Sequence, residues 1–187
     1  MQKITGIREE EYCCPCSKIN NEVVISELKE LEISNDLFQL PAIVNQCLLN
    51  VTKRFGDIDL LKIGLHEILV NAIEHGNLEI TSKEKQRIRE TNQNYYNYTR
   101  QRGKLPKYLQ RRVYITVARS LDKLVITIRD DGSGFDWVQE KKRINELSVD
   151  EYTPCGRGIL MAQRAYDQVN FNQAGNAVEL VKLAVEK

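Results

Sequence analysis

A chain of 187 residues with 42% apolar and 28% charged side chains has the size and makeup of one globular domain with a real core. No apolar run approaches the roughly 18 residues of a membrane span, and Met1-Gln2-Lys3-Ile4-Thr5-Gly6 lacks the basic-then-apolar signature of export, so a cytoplasmic location with no membrane partner is expected. The net charge of +1 conceals an uneven distribution: residues 81–112 hold ten Lys or Arg against Glu84 and Glu90, leaving that segment at +8 and the remainder at −7.

Residues 1–22 read as a cysteine-containing extension ahead of a single domain over 23–187. Of the five cysteines, Cys13, Cys14 and Cys16 crowd around Pro15, too close together for a disulfide framework. Reduced thiols are favoured over a metal or redox site, because a thiolate metal site usually needs four ligands and Cys47 and Cys155 fall in segments with other duties. Val23 to Ile33 alternates loosely as a strand. Ser34-Asn35-Asp36 supplies cap residues for a helix running through Pro41, Val44, Cys47 and Leu48 to about Phe55, where Gly56-Asp57 breaks it. Ile58 to Gly76 is the strongest helical stretch, with Leu61, Leu65, Ile68, Leu69 and Ala72 forming an apolar stripe.

The basic segment 81–112 also holds Tyr95, Tyr96, Tyr98 and Tyr108 and little periodic apolar character, so it reads as an insertion projecting from the domain. Interleaved cations and aromatics can bind nucleic acid. A solvated excursion or a docking surface for an acidic partner is the favoured reading, since no nucleic-acid motif accompanies the charge. Beyond it, Val113–Val117 and Leu124–Ile128 alternate at period two around Ser120-Leu121-Asp122-Lys123, a β-hairpin. Trp137–Leu147 reads as a charged helix, 148–155 as a loop and Ile159–Tyr166 as a short helix. Val169–Phe171 and Val178–Val185 make a second hairpin through Ala174-Gly175-Asn176. Hairpin-joined strands with helices set apart from them predict an α+β two-layer sandwich, a mainly antiparallel sheet with helices on one face.

Three short segments carry the chemistry. Glu67, Asn71 and His75 fall at i, i+4 and i+8 of the long helix, on one stripe beside the apolar one. There Asn71 can offer a neutral oxygen to a hard cation such as Mg²⁺, and Glu67, one turn away, can take a proton from a hydroxyl or water. Alone, that stripe is better explained as a solvated polar face. Asp130-Asp131-Gly132-Ser133-Gly134 follows a strand end, where Asp130 can accept a hydrogen bond from the exocyclic amine of a base while the glycines let backbone approach a flat ring. A plain turn is the equal alternative. Gly156-Arg157-Gly158 opens a helix whose free N–H groups favour phosphate, or is simply a flexible connection. In this order and these settings the three read together as a nucleotide pocket. No P-loop is present, because the Gly103-Lys104 pair is followed by Leu105. A dinucleotide fingerprint would need glycine where Trp137 or Met161 stands, and the zinc pattern H-E-x-x-H fails at Val70.

Glu67-x-x-x-Asn71 with His75-Gly76, Asp130-x-Gly132-x-Gly134, and Gly156-x-Gly158 resemble the N, G1 and G2 boxes of the GHKL ATPase superfamily, which includes gyrase and histidine kinase ATP-binding domains. The wording from Glu67 to Gly76 and the short layout look most like bacterial anti-sigma-factor serine/threonine kinases, over roughly Leu31 to Glu79 and Val113 to Leu183. The resemblance implies a GHKL-like fold with ATP and Mg²⁺ as cofactors. It implies Asn71 as the Mg²⁺ ligand, Glu67 as general base, Asp130 on the adenine amine and Gly132 and Gly134 walling the base. Gly156, Arg157 and Gly158 would lie against the phosphates, His75 would join the cofactor-binding set, and Phe135–Cys155 would form a lid. The implied partners are an anti-anti-sigma-type protein phosphorylated on serine and a sigma factor, with a homodimer through an exposed sheet face. The alternatives are a non-catalytic ATP-gated binding module and a histidine-kinase-type catalytic domain. The last ranks lower, since His66-Glu67 lies inside the ATP-site helix and no upstream helix pair carries another His.

Overall fold

The computed structural model describes residues 27–91, 93–139, 142 and 157–185. The extension with Cys13, Cys14 and Cys16, positions 23–26 of the predicted strand, most of the predicted 137–147 helix, the 148–155 loop with Cys155, and Gly156 lie outside the described residues.

In chain order the elements are β1 (Glu27–Ile33), α1 (Leu40–Cys47), α2 (Ile58–Asn71), a π-helical turn (Ala72–Asn77), α3 (Ser82–Glu90), α4 (Tyr95–Gly103), β2 (Val113–Arg119), β3 (Lys123–Asp130), α5 (Arg157–Ala165), β4 (Gln168–Phe171) and β5 (Ala177–Leu183). The strands form one sheet in the order β1-β2-β3-β5-β4, every pair antiparallel. Period-two alternation decides the inner face: Val113, Ile115 and Val117 of β2 and Leu124, Ile126 and Ile128 of β3 are buried. These meet Leu61, Leu65, Ile68 and Leu69 of α2, so the core is a single layer between sheet and helices, as the alternation predicts.

Two helix boundaries differ from expectation. The helix predicted to reach Phe55 stops at Cys47; Asn50 then takes a left-handed φ of 64°, and Phe55 is buried from a separate 3₁₀ turn over Lys53–Phe55. The stretch from Ile58 is α-helical only to Asn71. It starts where Asp57 accepts hydrogen bonds from the N–H groups of Asp59 (2.9 Å) and Leu60 (3.3 Å), and its last turns widen into the π form.

The basic segment does not project. Its two helices lie against the domain, with Ile88, Thr99 and Tyr108 buried. Lys85 meets the buried Glu74 at 2.5 Å, Arg102 meets Glu84 at 3.0 Å, and Lys107 and Arg111 both pair with Glu79. Arg102 also donates to the carbonyls of Leu78 (2.6 Å) and Glu79 (3.2 Å). Paired charge and tyrosine rings do here what an aliphatic stripe does elsewhere, which is why apolar periodicity failed to register a packed segment. Among the described residues no helix is long and apolar enough to cross a membrane.

Candidate functional site

The middle of α2 and the end of α5 are brought together by missing side chains. A methyl group on Gly64 would lie 2.9 Å from the Ala165 Cβ, 3.1 Å from the Ala162 Cα and 3.2 Å from the Tyr166 ring, so the two helices touch almost backbone to backbone. The Tyr166 hydroxyl fastens the contact by donating to the Leu61 carbonyl at 3.0 Å. This close approach carries the first turn of α5 to α2's polar stripe. A Cβ on Gly158 would stand 3.0 Å from Glu67 Oε2 and 3.2 Å from Asn71 Nδ2. Glu67 and Asn71, one turn apart on α2, therefore share one spot with the distant Gly158, and both polar side chains are only partly covered.

A second junction lies past the end of α2. Asp130, the last residue of β3, is 7% exposed, and its Oδ1 accepts from the Gly132 N–H at 2.8 Å. A Cβ on Gly76 would stand 2.5 Å from the Asp130 carboxyl carbon, and one on Gly132 would stand 2.4 Å from the Gly76 carbonyl oxygen. Burial pushes the Asp130 carboxyl up to about 6, with the neighbouring Asp131 adding to the shift and the Gly132 N–H, Arg111 and Arg129 opposing it. Among the described residues nothing donates to Oδ2, so a mostly ionised, nearly buried acceptor remains for an N–H group.

Of the other expected site residues, His75 leaves the stripe on which it was expected. In an unbroken α-helix His75 would stack above Asn71. The π turn alters that rotation, leaving His75 exposed with its Nδ1 2.6 Å from the Ile80 carbonyl, so the ring braces the turn instead of joining Glu67 and Asn71. Gly134, at φ 75°, is demanded by the β4–β5 turn: a Cβ there would stand 1.8 Å from the Ala174 carbonyl oxygen. Its side-chain direction is thus filled by protein, so the turn by itself already requires glycine here. Arg157 opens α5 at an exposed position.

Asn77 was missed. It is fully buried, accepts from the Asp131 N–H at 2.8 Å and donates to Asn35 Oδ1 at 2.7 Å, tying the π turn to the loop after β3. Arg111 donates to its carbonyl at 2.8 Å. The available signal was a carboxamide directly after Gly76 at a helix end, where free backbone groups need partners.

Cys47 contributes to the core: it is free and buried, and burial pushes its thiol up to about 11, so it stays protonated at neutral pH.

The donor set fits a magnesium nucleotide. A carboxamide and a carboxylate face a glycine in the first turn of α5, and a buried carboxylate with an open acceptor stands at the neighbouring strand end. Among the described residues no group of three or more His, Cys, Asp or Glu could hold a metal ion; the Asn71 carboxamide is the kind of neutral oxygen that Mg²⁺ takes alongside phosphates and water. An antiparallel sheet under helices, with these groups at the helix-to-strand edge, defines a nucleotide-binding α+β domain. The model of the histidine kinase-like ATPase domain matches residues 39–182, and the chain belongs to that family, whose domains bind ATP. No curated protein matches the chain.

Proposed function

We propose that this chain is an ATP- and Mg²⁺-dependent protein serine/threonine kinase, acting as an anti-sigma-type regulator in a partner-switching pathway. The observation that carries the reading is the junction of Glu67, Asn71 and Gly158. Bound ATP·Mg²⁺ would supply an activated phosphoryl group, and phosphoryl transfer asks mainly for positioning and charge neutralisation. Asn71 would hold the cation through its carboxamide oxygen. Backbone N–H groups at Gly156, Arg157 and Gly158 would face the phosphates, and Asp130 would accept from the exocyclic amine of the base. Glu67 would take the proton from an acceptor hydroxyl, its neighbour Gly158 leaving room beside the carboxylate. The wording of the α2 segment supports a serine on an anti-anti-sigma-type protein as acceptor and a sigma factor as the sequestered partner, with the kinase working as a homodimer.

The test is calorimetric titration with ATP and Mg²⁺, then incubation with γ-labelled ATP and an anti-anti-sigma-type protein. Label should appear on the acceptor as an acid-stable phosphoester. Glu67→Gln should keep ATP affinity and lose transfer by about 10²–10⁴-fold. Asp130→Ala should weaken ATP roughly ten- to a hundredfold, as loss of a charged hydrogen bond worth about 1.5–3 kcal/mol requires. Tight ATP binding with no label on any acceptor would leave an ATP-gated binding module, and acid-labile label would point to histidine. Unchanged ATP affinity in Asp130→Ala would remove that residue from the site.

A further inference from the structure

The cations of segment 81–112 divide into two sets. Lys85, Arg102, Lys107, Arg111 and Arg112 are spent on Glu74, Glu84, Glu79 and Glu32. Lys83, Arg87, Arg89, Arg100 and Lys104 meet no carboxylate among the described residues. On α4 the division follows the helix faces. Tyr95, Tyr98, Thr99 and Arg102 turn toward the domain, while Tyr96, Arg100 and Lys104 fall at i, i+4 and i+8 on the exposed side.

Tyr96 is 49% exposed and lies with its ring centroid 4.7 Å from that of Phe38, itself 62% exposed. Just past α4, Leu105 and Leu109 are a further exposed pair, 50% and 49%, with the Leu109 N–H donating to the Leu105 carbonyl at 3.0 Å. Single exposed apolar residues are ordinary, whereas a touching, half-exposed aromatic pair is the kind of surface that marks contact with another molecule. The pair joins α4 to the turn before α1, yet both rings keep about half their surface open to solvent although Arg102 and Thr99 already anchor the helix. Two cations near a helix C-terminus do complement the helix dipole, but that explains neither ring.

We propose that this face, formed by Phe38 with Tyr96, Arg100 and Lys104, docks an acidic segment of a partner protein that carries an apolar side chain. The stripe is polarised. Its apolar end is the Phe38–Tyr96 pair, and its positive end at Lys104 lies two helical turns away, about 12 Å. A peptide with an apolar residue followed by carboxylates matches both ends. A nucleic acid matches less well: its evenly spaced phosphates would need cations along the whole track, yet Asp36 sits under the apolar end, accepting from the Phe38 N–H at 3.1 Å, and half the segment's cations are already neutralised.

The test uses the full chain and a fluorescent peptide containing one phenylalanine followed by a run of glutamates, read by anisotropy at low and high salt. The controls are the same peptide with the phenylalanine made serine, the same peptide with glutamines for glutamates, and a single-stranded DNA oligonucleotide of equal length. The acidic aromatic peptide should bind, and each altered peptide should bind at least tenfold more weakly. Arg100→Gln with Lys104→Gln should lower affinity at least tenfold, Arg100→Glu with Lys104→Glu further still, and Tyr96→Ser likewise, with ATP affinity unchanged in the charge variants. No binding of the parent peptide, equal binding by the charge-reversed protein, or tighter binding of the oligonucleotide would overturn the proposal.

Discussion

The α2 segment is held at two places by opposite means. Along its middle it meets α5 through Gly64, Ala162 and Ala165, a dry contact set by the absence of side chains. At its π-helical end it meets the basic segment through Glu74 and the Asn77 and Leu78 carbonyls, a contact in which ion pairs and hydrogen bonds accompany buried tyrosine rings. The first contact fixes how near Gly158 comes to Glu67 and Asn71; the second fixes the turn whose Gly76 lies against Asp130. One half of the site is therefore set by shape, and the other by polar partners that salt and pH can reach.

Gly64→Val should break the dry contact most severely, because even its Cβ has no room. Overpacking of this kind costs about 3 kcal/mol, seen as a lowered urea midpoint that does not recover in 1 M salt. Glu74→Ala should break the polar contact at about 2 kcal/mol, less than a fully buried pair, because Lys85 keeps partial access to water. Its loss should shrink in high salt relative to the parent protein, and an identical loss at all salt concentrations would erase the proposed contrast. Asn77→Ala leaves the Asp131 N–H without its acceptor and should cost about 1–2 kcal/mol, with faster amide exchange at Asp131 as the local readout.

The smallest effect belongs to pH. Burial lifts the Asp130 carboxyl from 3.8 to about 6, so the folded chain keeps a proton that the unfolded chain has already released between those values. Its contribution to stability is therefore lost as pH rises from about 4 to about 6, and the penalty is complete above that. Asp130→Asn removes the penalty, so its stabilising effect without nucleotide should grow by about 1 kcal/mol between pH 5 and pH 7.5. A pH-independent difference in thermal midpoint would mean that the carboxyl titrates normally.

The strands were legible because period two is written directly in Val113–Val117 and Leu124–Ile128. The placement of Glu67 and Asn71 one turn apart on a helix and of Asp130 at a strand end was legible because both follow from local spacing, without any knowledge of the tertiary fold. His75 was misplaced because a π turn changes the backbone hydrogen-bond register, and apolar spacing does not encode that change. The packing of 81–112 was hidden because its buried surface comes from tyrosine rings and arginine stems, residue types that also populate solvated loops. The turn's own need for glycine at 134 was hidden because the Ala174 carbonyl that fills its side-chain direction lies forty residues away, a contact no local pattern reveals.

Adjacent strands β1 and β2 are separated by residues 34–112, so their pairing closes one long loop, of which the basic segment is 32 residues. Closure entropy rises only with the logarithm of loop length, which makes those extra residues cost about 0.5 kcal/mol of loop closure. Few other points in this topology would tolerate a graft of that size so cheaply, and a shortened graft that keeps the Glu74 and Asn77 partners should still fold. The β1–β2 seam is also the most distant pairing in sequence, so it should zip last during refolding, after the two C-terminal hairpins have formed.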